Sequence, residues 1–239
     1  MRSGNRTGFT LLELAIALAV LSLLTGLFLS ALQKNMGRLQ QAEAQAKLDA
    51  IETSLRDFAR ANGRVPCPSD LASPVTNQYF GVEAAAPGAC TGDTPAAKFN
   101  DGANTAGGGI PVRTLGLPDE YALDPWGDRF LYVVDKRMTA AGPAVSTGSI
   151  TVRDLGSHIR TSSAVALLMS FGPDGHGAYR LDGTVKSSGS MNAGELQNCH
   201  CRSDGTPMLF DNIFVQSPPS GDFDDILRYY LPSAFRFAY

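Results

Sequence analysis

The sequence lacks the apparatus of a catalyst. It has three histidines in 239 residues, with no G-x-S-x-G elbow, no H-E-x-x-H and no P-loop around them. His158 and His176 are therefore without the partners that a hydrolase needs, and His176 lies inside a Gly-rich turn. Net charge is only -3, and no basic stripe with interleaved aromatics occurs, so nucleic-acid binding has no support. There is no EF-hand spacing and no internal repeat. Proline is absent from residues 9–62, so nothing there is obliged to break a helix. Cysteine is scarce, and Cys67, Cys90, Cys199 and Cys201 all follow the apolar N-terminal segment. An even count suits an oxidising compartment if that part of the chain is exported.

What is present begins at the N-terminus. Residues 9–32 form an apolar run of about 24 residues, broken only by Thr, Ser, one Gly and Glu13. That length crosses a bilayer as a helix. It exceeds the core of a cleavable secretory signal, roughly 7–15 residues, and Leu29 stands where a small residue would be wanted before Ala31. Residues 1–8 hold Arg2 and Arg6 and no acid, which keeps this leader in the cytoplasm and places the remainder outside.

Glu13 is out of place in such a run. A carboxylate within a bilayer costs at least a few kcal/mol, so it marks a functional position unless it snorkels to the interface. A cut after Gly8 would free the amine of Phe9 one helical turn before Glu13. In a stack of subunits, Glu13 would then neutralise a neighbour's amine and set the axial register.

The string Gly8-Phe9-Thr10-Leu11-Leu12-Glu13-Leu14, behind a short basic leader and ahead of a long apolar run, resembles the signal sequence of type IV pilins and type II secretion pseudopilins. The resemblance covers about the first 50 residues. It implies that prepilin peptidase, a membrane aspartyl enzyme, cuts after Gly8 and methylates Phe9, and that Glu13 is needed for assembly. It also implies, as partners, other pilin subunits and the inner-membrane assembly platform. Many pilins carry a kinking Pro midway along this segment and this chain does not. Gly26 and Gly37 are its weak points, at about 1 kcal/mol each relative to Ala.

The helix is expected to continue through residues 33–62, which are rich in good helix formers. Met36, Leu39, Leu48, Ile51, Leu55 and Phe58 mark one apolar face, and Glu43 and Lys47 form an i,i+4 pair. Gly63, Pro66 and Pro68 supply the stop. A helix over 9–62 would be roughly 80 Å long.

Residues 63–239 are richer in Gly, Pro, Asn and Asp. Residues 79–109 read as a long irregular segment with turn signals at Pro87-Gly88, Asn100-Asp101-Gly102 and Gly107-Gly108-Gly109. Strands are expected over 129–134, 149–153, 164–171, 178–181 and 208–215, with turns at Asp174-Gly175 and Asp182-Gly183. The Ser-rich stretches 161–163 and 187–190 read as loops. One long helix followed by short strands gives an α+β fold, with an antiparallel sheet packed on the helix.

A second resemblance, also to pseudopilins, lies in this domain. Leu123-Asp124-Pro125-Trp126-Gly127 with Phe130-Leu131-Tyr132, then Ser170-Phe171-Gly172-Pro173-Asp174-Gly175, then Asp222-Phe223-Asp224-Asp225-Ile226, are similar to stretches whose loops hold a structural calcium ion in that family. The implied ligands are Asp174, Asp222, Asp224 and Asp225, hard oxygen donors suited to Ca²⁺ if the loops converge. The bland alternative is turn chemistry and solvated acids. About 45 residues separate the last two stretches, far more than in the family pattern. Trp126 is expected to pack against the sheet. A Cys67–Cys90 bridge would close a loop of about 22 residues and contribute on the order of 3 kcal/mol. Arg64-Val65-Pro66-Cys67-Pro68 also resembles a stretch that follows the long helix in many pilin-like proteins. A bridge within Cys199-His200-Cys201 would span a single residue, so cross-pairing with Cys67 and Cys90 stays open, and zinc at that spacing fits poorly.

These readings add up to a non-enzymatic subunit, a minor one by its length, of a pilus or secretion pseudopilus. It would sit in the bacterial inner membrane with 63–239 in the periplasm: 1–8 leader, 9–32 transmembrane, 33–62 amphipathic helix. The rival is a membrane-anchored periplasmic binding or adhesin-like protein that never polymerises.

Overall fold

The computed structural model describes residues 10–84, 90, 104–235 and 237, and for 26–34 the backbone alone. The chain divides into two compact units, Met1–Glu43 and Ala44–Tyr239. Helix α1 (Leu11–Asn62) begins in the first and ends in the second.

In the second unit α1 buries one stripe: Ala44, Leu48, Ile51, Leu55 and Ala59. Their steps of three and four residues keep them on one face. Two alanines belong to that stripe, whereas Met36 and Leu39, expected on it, are exposed within the first unit. Phe58 is half-buried beneath the Arg64 guanidinium, 5.1 Å from its ring centroid. Lys47 Nζ donates to the Leu123 carbonyl at 3.1 Å.

Among the described residues seven strands follow: β1 (Thr105–Gly109), β2 (Leu131–Asp135), β3 (Ile150–Arg153), β4 (Ile159–Ala164), β5 (Ala166–Ser170), β6 (Ile213–Val215) and β7 (Ile226–Tyr230), with helix α2 (Ala193–Cys199) between β5 and β6. One sheet has the order β1-β2-β5-β7 and is antiparallel throughout. The other has the order β4-β3-β6, and its β3–β6 pairing is parallel. The domain is thus α+β, with two sheets where one antiparallel sheet was expected.

β2 and β5 are buried along their whole length. Tyr132, Val134 and Leu168 face the α1 stripe in one core. Leu131, Val133, Leu167 and Met169 face Ile150, Val152 and Phe214 of the second sheet in another. This is why both strands read as near-continuous apolar runs rather than alternating ones.

Four expectations change. Gly107-Gly108-Gly109 is the end of β1, not a turn. Ser69 and Gly109 exchange backbone hydrogen bonds at 2.9 and 2.8 Å, and a Cβ on Gly108 would overlap the Ser69 carbonyl. The glycines are there for close approach of two backbones. Residues 161–163 belong to β4, and 178–181 form only isolated bridges, Asp128 with Arg180 and Tyr179 with Val185, around the Asp182-Gly183 turn. Of 208–215 only the last three residues form a strand.

Gly108→Ala should destabilise the domain by about 1–3 kcal/mol, because backbone rather than a flexible side chain must yield. Gly221→Ala, where a Cβ meets nothing, should lie within about 0.5 kcal/mol of the parent. Denaturant midpoints of the two variants measure the difference.

Candidate functional site

Gly8 and Phe9 lie outside the described residues. Just beyond them, Thr10 and Glu13 cap α1 reciprocally. The Thr10 N–H and hydroxyl each donate to Glu13 Oε2 at 3.0 Å, and the Glu13 N–H donates to Thr10 Oγ1 at 3.2 Å. This is a capping box, in which a T-x-x-E sequence satisfies orphan donors at a helix start. The side chains of residues 10–25 are all exposed, Leu11 by 88%. Among the described residues no helix is long and apolar enough to cross a membrane.

In the globular unit, the D-P-W-G and S-F-G-P-D-G stretches lock together. Asp124 is buried, and its carboxylate accepts the N–H groups of Trp126 and Asp128 at 3.0 Å each and the Ser170 hydroxyl at 2.6 Å. Ser170 Oγ in turn accepts the Gly172 N–H at 3.1 Å. Gly127 closes the turn at φ 86°, a left-handed conformation that favours glycine. Burial pushes the Asp124 carboxyl up to about 6, against these hydrogen bonds. Trp126 packs, partly buried, against the α1 core.

The second and third acidic stretches converge on a pocket. Carboxylate oxygens of Asp174, Glu195 and Asp224 lie within 4.8 Å of one another, in a cavity of about 590 Å³ also lined by Ser190, Asn192 and Asp222. Gly172 makes room for this arrangement, since a Cβ there would overlap Asp224. Asp224 Oδ2 accepts the Asp174 N–H at 3.3 Å, whereas its Oδ1 is buried without a hydrogen-bond partner. Burial, and then the charges of Asp174 and Glu195, push the Asp224 carboxyl up to about 7.

An orphaned buried oxygen among three hard anionic donors fits a calcium-type cation. Asp222 sits on the exposed wall of the pocket. Asp225 is directed elsewhere: buried, it accepts from Asn198 Nδ2 at 2.7 Å, and Asn198 also exchanges hydrogen bonds with the Val215 backbone. Asn198 thereby ties α2 to β6, and Asp225 ties it to the start of β7. The sequence reading missed Thr10 and Glu195. The T-x-x-E spacing signals the first, and nothing local signals the second.

The cysteines pair locally. Cys67 is bonded to Cys90, with Cα atoms 5.5 Å apart, and Cys199 to Cys201, at 5.1 Å. The second bridge spans the left-handed C-cap of α2, His200 at φ 47°. His176 adjoins these sulfurs, but they are bonded to each other and its ring nitrogens engage the Ser188 N–H and the Arg202 carbonyl. That arrangement offers zinc no thiolate.

In calcium-free buffer the folded chain holds a proton at Asp224 that the unfolded chain loses near pH 4. This group's contribution to stability is therefore fully present at acid pH and declines as pH rises from about 4 to about 7. Asp224→Asn should flatten that slope, read from denaturant midpoints between pH 5 and pH 8.

Against this geometry, residues 3–29 match the family model for the prokaryotic N-terminal methylation motif. No curated protein and no solved structure matches the chain. The matched segment encloses Gly8, Phe9, Thr10 and Glu13, fits an N-terminal membrane anchor and suggests a structural protein rather than an enzyme. This motif supports a prepilin of the type IV pilin and pseudopilin type.

Proposed function

We propose that this chain is a minor structural subunit of a type IV pilus or type II secretion pseudopilus. Prepilin peptidase removes residues 1–8, Phe9 becomes the methylated N-terminus, and residues 9–32 anchor the subunit in the inner membrane with 63–239 in the periplasm. Assembly proceeds through α1, and neither catalysis nor nucleic acid is involved. The observation that carries this reading is the methylation motif over residues 3–29, which brackets the Gly8–Phe9 bond and Glu13.

Chemically, cleavage leaves a cation one turn from a carboxylate in a low-dielectric setting, where an unpaired charge is expensive. Before cleavage the Glu13 carboxylate is held by Thr10 of its own helix. After incorporation it compensates a neighbour's Phe9 amine and fixes the axial step. In the globular unit the pocket of Asp174 and Asp224 takes a calcium ion, which neutralises carboxylates that the fold holds close together and braces the loops. The platform proteins and neighbouring subunits are the expected partners.

Mass spectrometry of the N-terminal peptide, from protein extracted from native membranes, tests the pathway. A chain starting at Phe9 with a methylated amine is expected. Retention of residues 1–8, or a cut near Ala31, would replace this reading with an anchored or secreted binding protein. Glu13→Ala should leave membrane insertion intact and abolish recovery in sheared filaments. Unchanged recovery would remove Glu13 from assembly.

A further inference from the structure

We propose that Glu195 is a ligand of the cation in the acidic pocket, so that the ion fastens the segment between the two acidic loops to the core. The proposal rests on the cation reading of that pocket. Asp174 precedes α2 and Asp224 follows it, and α2 brings Glu195 between them. Its position is built. Asn192 caps α2 by accepting the Gly194 and Glu195 N–H groups at 2.8 and 3.4 Å. Gly194 lies where a Cβ would crowd Leu155 and Phe223.

Glu195 is 3% exposed. Burying a carboxylate so completely is costly unless a counter-charge is near. Among the described residues, no Lys, Arg or His forms an ion pair with Glu195, Asp174 or Asp224. Lys186, whose charge also reaches Asp224, forms its ion pair with Asp128 at 2.8 Å. The hydrogen bonds to Glu195 leave it with lone pairs to spare: Oε1 accepts the Asp224 N–H at 3.1 Å and Oε2 accepts the Ser190 hydroxyl. Asp224 Oδ1 is buried and has no hydrogen-bond partner, a second carboxylate of the same cluster that the protein leaves unsatisfied. A metal ion answers both demands, since it supplies charge and takes oxygens from well-separated points of the chain.

The consequence concerns α2. This two-turn helix is too short to stand alone. It is held on one side by Asn198 to Val215 and Asp225, and at its end by the Cys199–Cys201 bridge. At its N-terminal turn the Asp224 N–H already meets Glu195 Oε1, and the ion adds a second hold there.

The test titrates calcium calorimetrically into the full chain in detergent and follows amide hydrogen exchange over residues 193–199 with and without the ion. In the parent protein, binding with slowed exchange in α2 is expected. Glu195→Gln keeps the shape and the accepting oxygen, and should lower affinity about tenfold or more, because removing one carboxylate reduces ligand charge. It should also abolish the protection of α2. Calcium binding by the parent with the same affinity in Glu195→Gln and no protection of α2 would overturn the Glu195 proposal while leaving the pocket reading intact. No calcium binding by the parent would overturn both. Should Glu195→Gln fail to fold, the parent alone decides: binding without protection of 193–199 counts against the proposal, and binding with it counts in favour.

Discussion

Two strands without a wet face organise the globular unit. β2 and β5 are covered by α1 on one side and by the second sheet on the other, so each polar side chain they carry has to find a partner within the protein. Within β2 the Tyr132 hydroxyl donates to the Pro66 carbonyl at 3.1 Å, and the other polar side chains gather at the strand ends. Ser170, the last residue of β5, donates to Asp124. Arg129, two residues ahead of β2, is 3% exposed and donates to the Leu71 carbonyl at 2.8 Å and to the Ser73 and Leu181 carbonyls. Its guanidinium lies 4.6 Å from the Phe80 ring centroid. Burial lowers its pKa to about 10, which leaves it charged at any physiological pH. A buried cation ringed by carbonyls trades water for fixed dipoles, and it draws the segment after Cys67 onto the sheet. The loops that carry the acidic pocket start from the same ends, and their precision is inherited from the packing beneath them.

Much of this architecture was legible from the amino-acid sequence, and the failures have physical causes. The long helix followed from the absence of proline and the abundance of good helix formers. The central strands followed from their apolar runs. The α1 stripe was misjudged because alanines are weak hydrophobic signals, yet Ala44 and Ala59 are what permit close approach to the core. β1 was hidden by its glycines, which normally mark turns and here accommodate the Ser69 backbone. β4 was hidden by serines and threonine on an edge strand whose outer residues face solvent. The disulfide pairing could not be read because connectivity depends on where loops return.

The acidic pocket divides in the same way. Asp174 and Asp224 sit in loop motifs that the sequence displays. Asp225, adjacent to Asp224, belongs to a different network, because successive residues of extended chain point to opposite sides. Glu195 is 21 positions from Asp174 in a helix with no motif of its own, and only the folded chain brings it near. At the N-terminus the reverse holds: the motif encloses Gly8, Phe9 and Glu13, and geometry adds Thr10 as the partner that occupies the Glu13 carboxylate.

The loop after β5 places three glycines within six residues, each facing a different neighbour across a distance that a methyl group would fill: Gly172 against Asp224, Gly175 against Asp128 and Lys186, and Gly177 against Cys199. All three also adopt left-handed backbone conformations. One short loop thus sets the register of three otherwise separate parts, the acidic pocket, the Asp128–Lys186 pair and the α2 disulfide. Lys186 and Cys199 belong to the segment between Ala178 and Asp222, so this loop pins that long stretch of chain at points along its length and not only at its ends.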